Sequence, residues 1–161
     1  MGLKSNILRT LNPNPSMTAE QRKLYQNPEA VRKILKDTQT IAVVGLSAKP
    51  YKASYSVANY MHAAGYRIIP VNPQVDRVLG EKSYPSLSDI PEHIDLVDIF
   101  RPPADCLDIV KAAIACKAGA VWLQLEIISP EAAELAKQAG MPAIMDLCFK
   151  IEHRRYQDEL D

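Results

Sequence analysis

The sequence lacks the features by which secreted, membrane-bound and nucleic-acid-binding proteins are recognised. Its 19 basic and 19 acidic residues leave a formal net charge of zero, so no broad positive field exists to hold a nucleic acid or an anionic membrane. It contains no run of about 18 or more apolar residues and begins with a polar segment, which predicts neither a membrane span nor a signal peptide. Its three cysteines form no Cys-x-x-Cys pair and no even-numbered set. We therefore expect free thiols and a soluble, cytoplasmic protein.

The length of 161 residues suits one domain with a core of its own. Within the first 17 residues, Asn12-Pro13-Asn14-Pro15 favours an extended chain, and we expect residues 1–17 to form a flexible arm. Residues 18–161 are then a single domain. Its first helix is predicted from an N-cap at Asn27, with Pro28 at the first helical position, to about Asp37.

From Thr40 onward, short apolar runs alternate with amphipathic segments, which is typical of βαβ units in a parallel sheet covered on both faces. Five strands are predicted, at 41–44, 67–71, 96–100, 120–123 and 143–145. Helices are predicted between them, from Ser54 to Gly65, Pro102 to Gly119 and Ser129 to Gly140, and a last one over about 150–159. The expected fold class is α/β, with a Rossmann-like, doubly wound five-stranded parallel sheet in the order 3-2-1-4-5.

The loop after the first predicted strand, Gly45 to Ser54, leads directly into a predicted helix. Ligands of such folds bind beyond the carboxyl ends of the strands. Backbone amides, a positive helix end, two lysines and two serine hydroxyls together predict a pyrophosphate site, while the alternative is a plain tight turn with solvated lysines. The candidate ligand-binding residues in and next to this loop are Gly45, Leu46, Ser47, Ala48, Lys49, Lys52, Ser54 and Tyr55.

The second predicted strand ends in Val71-Asn72-Pro73, without the acidic residue that holds the ribose diol in dinucleotide-binding folds. The Gly-x-Gly-x-x-Gly fingerprint is also missing after the first strand. Both absences disfavour NAD. Coenzyme A fits better, since its ribose carries a 3′-phosphate that a carboxylate would repel. Arg77 is a candidate to neutralise that phosphate, or else a solvated surface arginine.

Two further segments follow predicted strands at the same edge. Phe100-Arg101-Pro102 places an aromatic ring and a guanidinium there, and Arg101 is expected to pair with an anion, with Asp98 or with Asp105. After the fourth strand, the amide of Gln124 is expected either to bind the amides of a pantetheine arm or to satisfy a loop.

These segments together resemble those of the small bacterial and archaeal CoA-binding proteins, which are similar in fold to the amino-terminal domain of the succinyl-CoA synthetase alpha subunit. The resemblance covers about residues 40–155. The segments that carry it are Ile41 to Ser47, Gly65 to Pro73, Leu79 to Glu81, Tyr84 to Leu87, Val97 to Arg101 and Val121 to Gln124.

The resemblance implies that residues 45–54 hold the pyrophosphate and that Asn72 and Pro73 flank the adenosine. It also implies that 100–103 and 123–125 line the nucleotide and pantetheine path. The sequence departs from the family pattern at two places: Glu126 stands where the family usually has glycine, and Leu147 where it often has arginine.

Few groups suit catalysis. None of the histidines, His62, His93 and His153, directly follows a predicted strand, so no base is expected beside a nucleophile at the ligand edge. No spacing of His, Cys, Asp and Glu matches a strong metal-ligand pattern. We predict no catalytic residue and no metal, and a CoA- or acyl-CoA-binding module that acts as a sensor or carrier, with any protein partner unidentified.

Two other functions stay open at this stage. One is an enzyme, either an acyl- or thiol-transfer catalyst that uses Cys148 or a subunit of an acid–thiol ligase. The other is a nucleotide- or NAD-binding regulator, which the missing acidic residue after the second strand disfavours.

Overall fold

The computed structural model describes residues 16–160. In this part the α-helices are α1 Ala19–Tyr25, α2 Pro28–Asp37, α3 Ala53–Ala63, α4 Pro103–Ala115, α5 Pro130–Gln138 and α6 Phe149–Tyr156. The strands are β1 Thr40–Val44, β2 Arg67–Val71, β3 Arg77–Val78, β4 Glu81–Lys82, β5 Leu96–Ile99, β6 Ala120–Leu123 and β7 Ala143–Met145. Short 3₁₀ helices span Leu87–Asp89 and Gln157–Glu159.

The five longer strands form one parallel sheet with helices on both faces, which confirms the Rossmann-like α/β fold. The predicted strand order 3-2-1-4-5 is wrong. The sheet runs β2-β1-β5-β6-β7, which is 2-1-3-4-5 in the numbering of the prediction. The third long strand, β5, pairs with β1 and not with β2.

Pro70 explains why β2 is an edge strand. Proline has no N–H to donate to a neighbouring strand, so it is confined to sheet edges and bulges. The carbonyl of Pro70 faces away from β1 and accepts from the backbone N–H of Tyr84 at 3.0 Å. An edge position for β2 could therefore have been predicted from Pro70 in the sequence.

Two apolar cores form because neighbouring strand residues point to opposite faces of the sheet. Val43 belongs to the core beneath α2, α3 and α6, whereas Val44 belongs to the core beneath α4 and α5. The strands of the five-stranded sheet are almost wholly buried, as their continuous apolar content predicts for parallel strands covered on both sides.

Most helix boundaries follow local signals. The side chain of Asn27 caps α2 by accepting from the N–H groups of Glu29 and Ala30, as predicted. Ser129 likewise caps α5. Two predicted signals are wrong: Ser54 lies inside α3 and does not cap it, and α4 ends at Ala115 well before Gly119.

Residue 119 is a glycine for a reason other than ending a helix. A Cβ atom at this position would lie 2.6 Å from the carbonyl oxygen of Asp95, so only glycine permits these two backbone segments to approach this closely. The turn that follows α4 is made instead by Lys117, at φ +57°.

Four elements were not predicted. One is α1. The others are β3, β4 and the 3₁₀ helix Leu87–Asp89, which lie within the connection from 72 to 91 that was expected to be irregular. Most of the predicted flexible arm, residues 1–15, lies outside the described residues. Met17, the last residue assigned to that arm, is 5% exposed and belongs to the core.

Among residues 16–160, no helix combines the length and the apolar character needed to cross a membrane.

Candidate ligand site at the carboxyl edge of the sheet

Gly45 begins the site by allowing β1 to turn directly against the end of β5. Its φ of +86° lies in the region that side chains disfavour, and its N–H donates to Val71 O at 2.9 Å. A Cβ atom here would lie 2.5 Å from the carbonyl oxygen of Phe100. The loops after β1 and β5 are therefore in contact because residue 45 has no side chain.

The loop that follows is held in place by its own serines. The N–H of Ser47 donates to Ser54 Oγ at 3.0 Å, and the N–H of Lys49 donates to Ser47 Oγ at 3.1 Å. Ser54 therefore fastens the loop to the first turn of α3, although it was predicted to cap that helix. Such a fixed loop presents its remaining amides in one arrangement.

The start of α3 is the strongest candidate for an anion site. Lys52 is its N-cap residue and provides no side-chain hydrogen bond to the first-turn amides. These amides lie at the positive end of an 11-residue helix. Lys49 and Lys52 are both exposed beside them, while Leu46 is fully buried beneath the loop. Backbone amides at a helix start and lysine side chains are groups that bind phosphates, and the pyrophosphate site here stays a prediction.

The remaining predicted members of this loop are peripheral or partly buried. Ala48 is exposed, and Tyr55 is half-buried against the core beneath α3. Tyr51, which was not among the predicted site residues, is 77% exposed at the tip of the loop. A large exposed aromatic side chain beside a candidate ligand crevice is available for stacking.

Asn72 ties the second loop to the first. Its Nδ2 donates to Leu46 O at 2.9 Å, and its Oδ1 accepts from the N–H of Gln74 at 2.9 Å. The side chain of Asn72 thus donates one hydrogen bond and accepts another. An ionised aspartate could only accept. Pro73 is exposed immediately beyond Asn72.

Arg77 lies in β3 and is exposed, with Nη1 donating to Gly80 O at 3.1 Å. This contact holds the guanidinium within its own hairpin. Of the two predicted roles for Arg77, the arrangement fits an exposed surface arginine better than a phosphate ligand.

Arg101 pairs with Asp105, one of its three predicted partners. The Nη2···Oδ2 distance is 2.7 Å, and both side chains are about half exposed. An exposed pair of this kind contributes little stability, so the guanidinium can exchange Asp105 for an anion at small expense. Pro102 is the N-cap residue of α4, which agrees with a structural reason for the two prolines.

Gln124 is buried, with 3% of its surface exposed. Its Nε2 donates to Asp98 Oδ1 at 2.6 Å, and its Oε1 accepts from the N–H of Phe149 at 3.4 Å. The second predicted role, a side chain that satisfies neighbouring groups, matches these contacts. Sequence reasoning missed its partner, because nothing local shows that positions 98 and 124 share one face of the sheet.

Glu126 occupies a strained backbone position at the rim. Its φ is +69°, and its N–H donates to Asp146 Oδ1 at 2.6 Å. The preference for glycine that the resemblance implies at this position has a physical reason, since glycine adopts positive φ without strain. This chain carries a strained residue and an added carboxylate there.

Replacement of this residue gives a prediction. Glu126→Gly is expected to raise the free energy of unfolding by about 1 kcal/mol, the balance between relieved strain and the extra freedom of glycine in the unfolded chain. Urea unfolding measures the change. Glu126→Gln is the matched control, because it removes the charge and keeps the strain; equal stability of the two variants would contradict the explanation.

Leu147 and Cys148 follow β7 at the carboxyl edge of the sheet. Cys148 is the N-cap residue of α6, is partly buried and forms no disulfide. Leu147 accepts the indole N–H of Trp122 through its backbone oxygen at 2.8 Å and packs its side chain against the core beneath α6. An apolar side chain at 147 therefore has a packing reason of its own.

A groove at the opposite edge is less suited to an anionic ligand. It is lined by the carboxyl-terminal ends of α2 and α3 and includes Lys36, Arg67 and His153. Helix carboxyl ends present carbonyl groups, which repel anions. Arg67 is already paired with Glu92 and lies 3.8 Å from Glu81.

The fold is a Rossmann-like α/β domain, and a helix start without a side-chain cap lies after the first strand of its sheet. The family model described as a CoA binding domain matches residues 39–154, and the chain belongs to that family. The predicted resemblance is thereby confirmed.

Two similar proteins match most of the chain. The uncharacterised Bacillus subtilis protein YneT is 39% identical over 130 residues, which are 80% of this chain and 96% of that protein. The solved structure of a hypothetical protein from Pyrococcus horikoshii is 39% identical with a TM-score of 0.77, and the match covers 80% of this chain and 91% of that one.

A third similarity is to part of a larger enzyme. The ADP-forming acetate–CoA ligase II of Archaeoglobus fulgidus is 36% identical over 81 residues, which are 49% of this chain and 12% of the ligase. The chain therefore matches only a small part of that ligase.

Proposed function

We propose that the chain binds coenzyme A or an acyl-CoA at the carboxyl edge of its sheet and acts as a binding module, a sensor or carrier, in the cytoplasm. The observation that supports this most is the start of α3. Its first-turn amides have no side-chain cap from Lys52, two lysines flank them, and the loop before them is held by Ser47 and Ser54. This arrangement suits a pyrophosphate.

The end of β2 supports an adenosine with a 3′-phosphate in preference to NAD. The residue after Val71 is an asparagine, and its side chain is engaged with Leu46 and Gln74. The residue after β2 therefore offers no carboxylate to hydrogen-bond a ribose diol. In the proposal, Asn72 and Pro73 flank the adenosine, and Arg101 exchanges Asp105 for a ligand phosphate.

The pantetheine arm is proposed to run past Phe100 and the backbone of residues 123–125. Gln124 contributes through its backbone and through the position that it gives to this loop, because its side chain is committed to Asp98 and Phe149. Arg77 is left outside the proposed site, since its guanidinium binds Gly80.

Isothermal titration with CoA, dephospho-CoA and NAD tests the proposal. We expect CoA to bind most tightly, and the double variant Lys49→Ala/Lys52→Ala to bind it at least about tenfold more weakly through loss of two charge-assisted phosphate contacts. The control is Lys33→Ala/Lys36→Ala, which removes the same charge from the exposed face of α2. Tighter binding of NAD, or equal losses in the two variants, would overturn the assignment.

The second candidate function is a subunit of an acid–thiol ligase. The observation that favours it is the match of about half of this chain to part of an acetate–CoA ligase. In this case a second protein would supply the remaining chemistry. Acyl-CoA formation from acid, ATP and CoA by the chain together with a co-purified partner would favour the ligase subunit over the binding module.

A further inference from the structure

The proposed ligand contacts do not explain why Asp98 is buried. It lies in β5, the middle strand of the sheet, and is fully buried. Among residues 16–160, its Oδ2 is the one buried side-chain oxygen or nitrogen without a hydrogen-bond partner. Such an atom is costly when the carboxyl group is ionised, so its presence beside a ligand edge calls for a reason.

The neighbours of Asp98 connect it to the loops of the site. Its Oδ1 accepts from Gln124, and Gln124 accepts from the N–H of Phe149, the first residue of α6. The hydrogen-bonded chain therefore joins β5, β6 and the start of α6. Each of these elements adjoins a crevice loop, and these loops span 100–102, 124–126 and 146–148.

Neighbouring charges do not set the protonation of Asp98. Its pKa is raised to about 7 by burial, against the opposing hydrogen bonds from Gln124 and the backbone of Ile99. The register places Asp98 level with Val43 and Trp122, so it faces the core beneath α2, α3 and α6.

The titratable and charged side chains of those three helices are engaged elsewhere, exposed or partly buried. Arg32 lies near Glu159, Lys33 pairs with Asp37, His62 lies near Glu81, and Arg155 pairs with Glu152. Tyr60 binds His153. The remaining groups are Glu29, Lys36, Lys150 and Arg154, with Tyr55, Tyr156 and Cys148 partly buried.

We propose that Asp98 is a positioning residue that must be protonated for tight ligand binding, so that the protein takes up a proton at Asp98 when coenzyme A binds. The inference rests on the proposed function. The proton comes from solvent and converts the carboxylate to a carboxylic acid, with no other bond made or broken. The physical reason is that an anionic ligand seated beyond the strand ends disfavours a second negative charge buried beneath it.

The test compares the wild-type protein with Asp98→Asn, which keeps an acceptor for Gln124 and cannot ionise. Calorimetric titration with CoA at pH 7, in two buffers of different ionisation enthalpy, gives the number of protons taken up. We expect more uptake by the wild type than by the variant. Between pH 6 and pH 8, CoA affinity of the wild type should fall roughly three- to tenfold relative to the variant, the size expected of one like charge across a partly buried site.

Titration of the ligand's own phosphates is the same for both proteins, so the difference between them isolates Asp98. Equal proton uptake and a constant affinity ratio from pH 6 to pH 8 would overturn the inference while leaving CoA binding intact. Absence of CoA binding by the wild type at every pH would instead overturn the proposed function.

A measurement on the wild type alone covers the case in which the variant does not fold. The carbon-13 signal of the Asp98 carboxyl group can be followed through a pH titration with and without CoA. We expect CoA to move its midpoint to higher pH. A midpoint that does not move would contradict the coupling.

Discussion

Gly45→Ala should lower the free energy of unfolding by at least about 3 kcal/mol, because it combines an unfavourable positive φ with a steric overlap. The new Cβ atom would lie 2.5 Å from Phe100 O, a backbone atom that can move only with the end of β5. Displacement of either loop would also disturb the start of α3. We therefore expect CoA affinity to fall as well, at temperatures where the variant is still folded.

Gly65→Ala is the matched control for this prediction. Gly65 also has a positive φ, +103°, but a Cβ atom there would meet nothing within 4 Å. This variant should lose only the free energy that a side chain costs at positive φ, about 1–2 kcal/mol. Its position after α3, at the other edge of the sheet, should leave CoA affinity unchanged. Equal destabilisation by the two substitutions would contradict the close approach of Gly45 to Phe100.

Asp98→Asn should stabilise the protein at pH 8 by an amount on the order of 4 kcal/mol, and by little at pH 4. Burial raises the pKa of Asp98 from 3.8 to about 7. For a group whose pKa is raised by folding, the associated stability is present below the unfolded pKa and is lost as pH rises through the folded one. The wild type should thus lose this stability between about pH 4 and pH 7, and the variant should not.

Urea unfolding of both proteins at pH 4, 6 and 8 provides the measurement. The other groups with shifted pKa values, among them Glu92 and Glu152, are common to both proteins and cancel in the difference. A difference in stability that does not change with pH would show that Asp98 is not protonated in the folded protein near neutral pH. A less stable variant at pH 8 would show that the carboxylate is better stabilised than its unpartnered Oδ2 indicates.

The strands and the helix caps could be predicted because their sequence signals are local. Apolar runs mark β1 and β6, and Asn27 and Ser129 mark helix starts that the structure confirms. Ser54 shows the limit of such signals. A serine near a helix start is an N-cap by sequence, yet here its hydroxyl accepts from the N–H of Ser47 on the preceding loop.

Strand order was predicted less well because a crossover of the same length can return to either side of a strand. Pro70 contained the missing information, since a residue without an N–H belongs at an edge. The partners of Gln124 and Arg77 were hidden for a different reason. Their contacts depend on the register between β5 and β6 and on a hairpin that the sequence did not reveal.

The sequence by itself determined the class of fold, because periodicity and turns are properties of neighbouring residues. For the same reason it predicted the edge at which a ligand should bind and the loop from Gly45 to Ser54. Only the tertiary structure decided the order of the strands, the hydrogen bond between Asp98 and Gln124 and the strained position of Glu126. These features join residues that are distant in the chain or depend on backbone angles. Their energies come from contacts that exist only when the sheet has assembled.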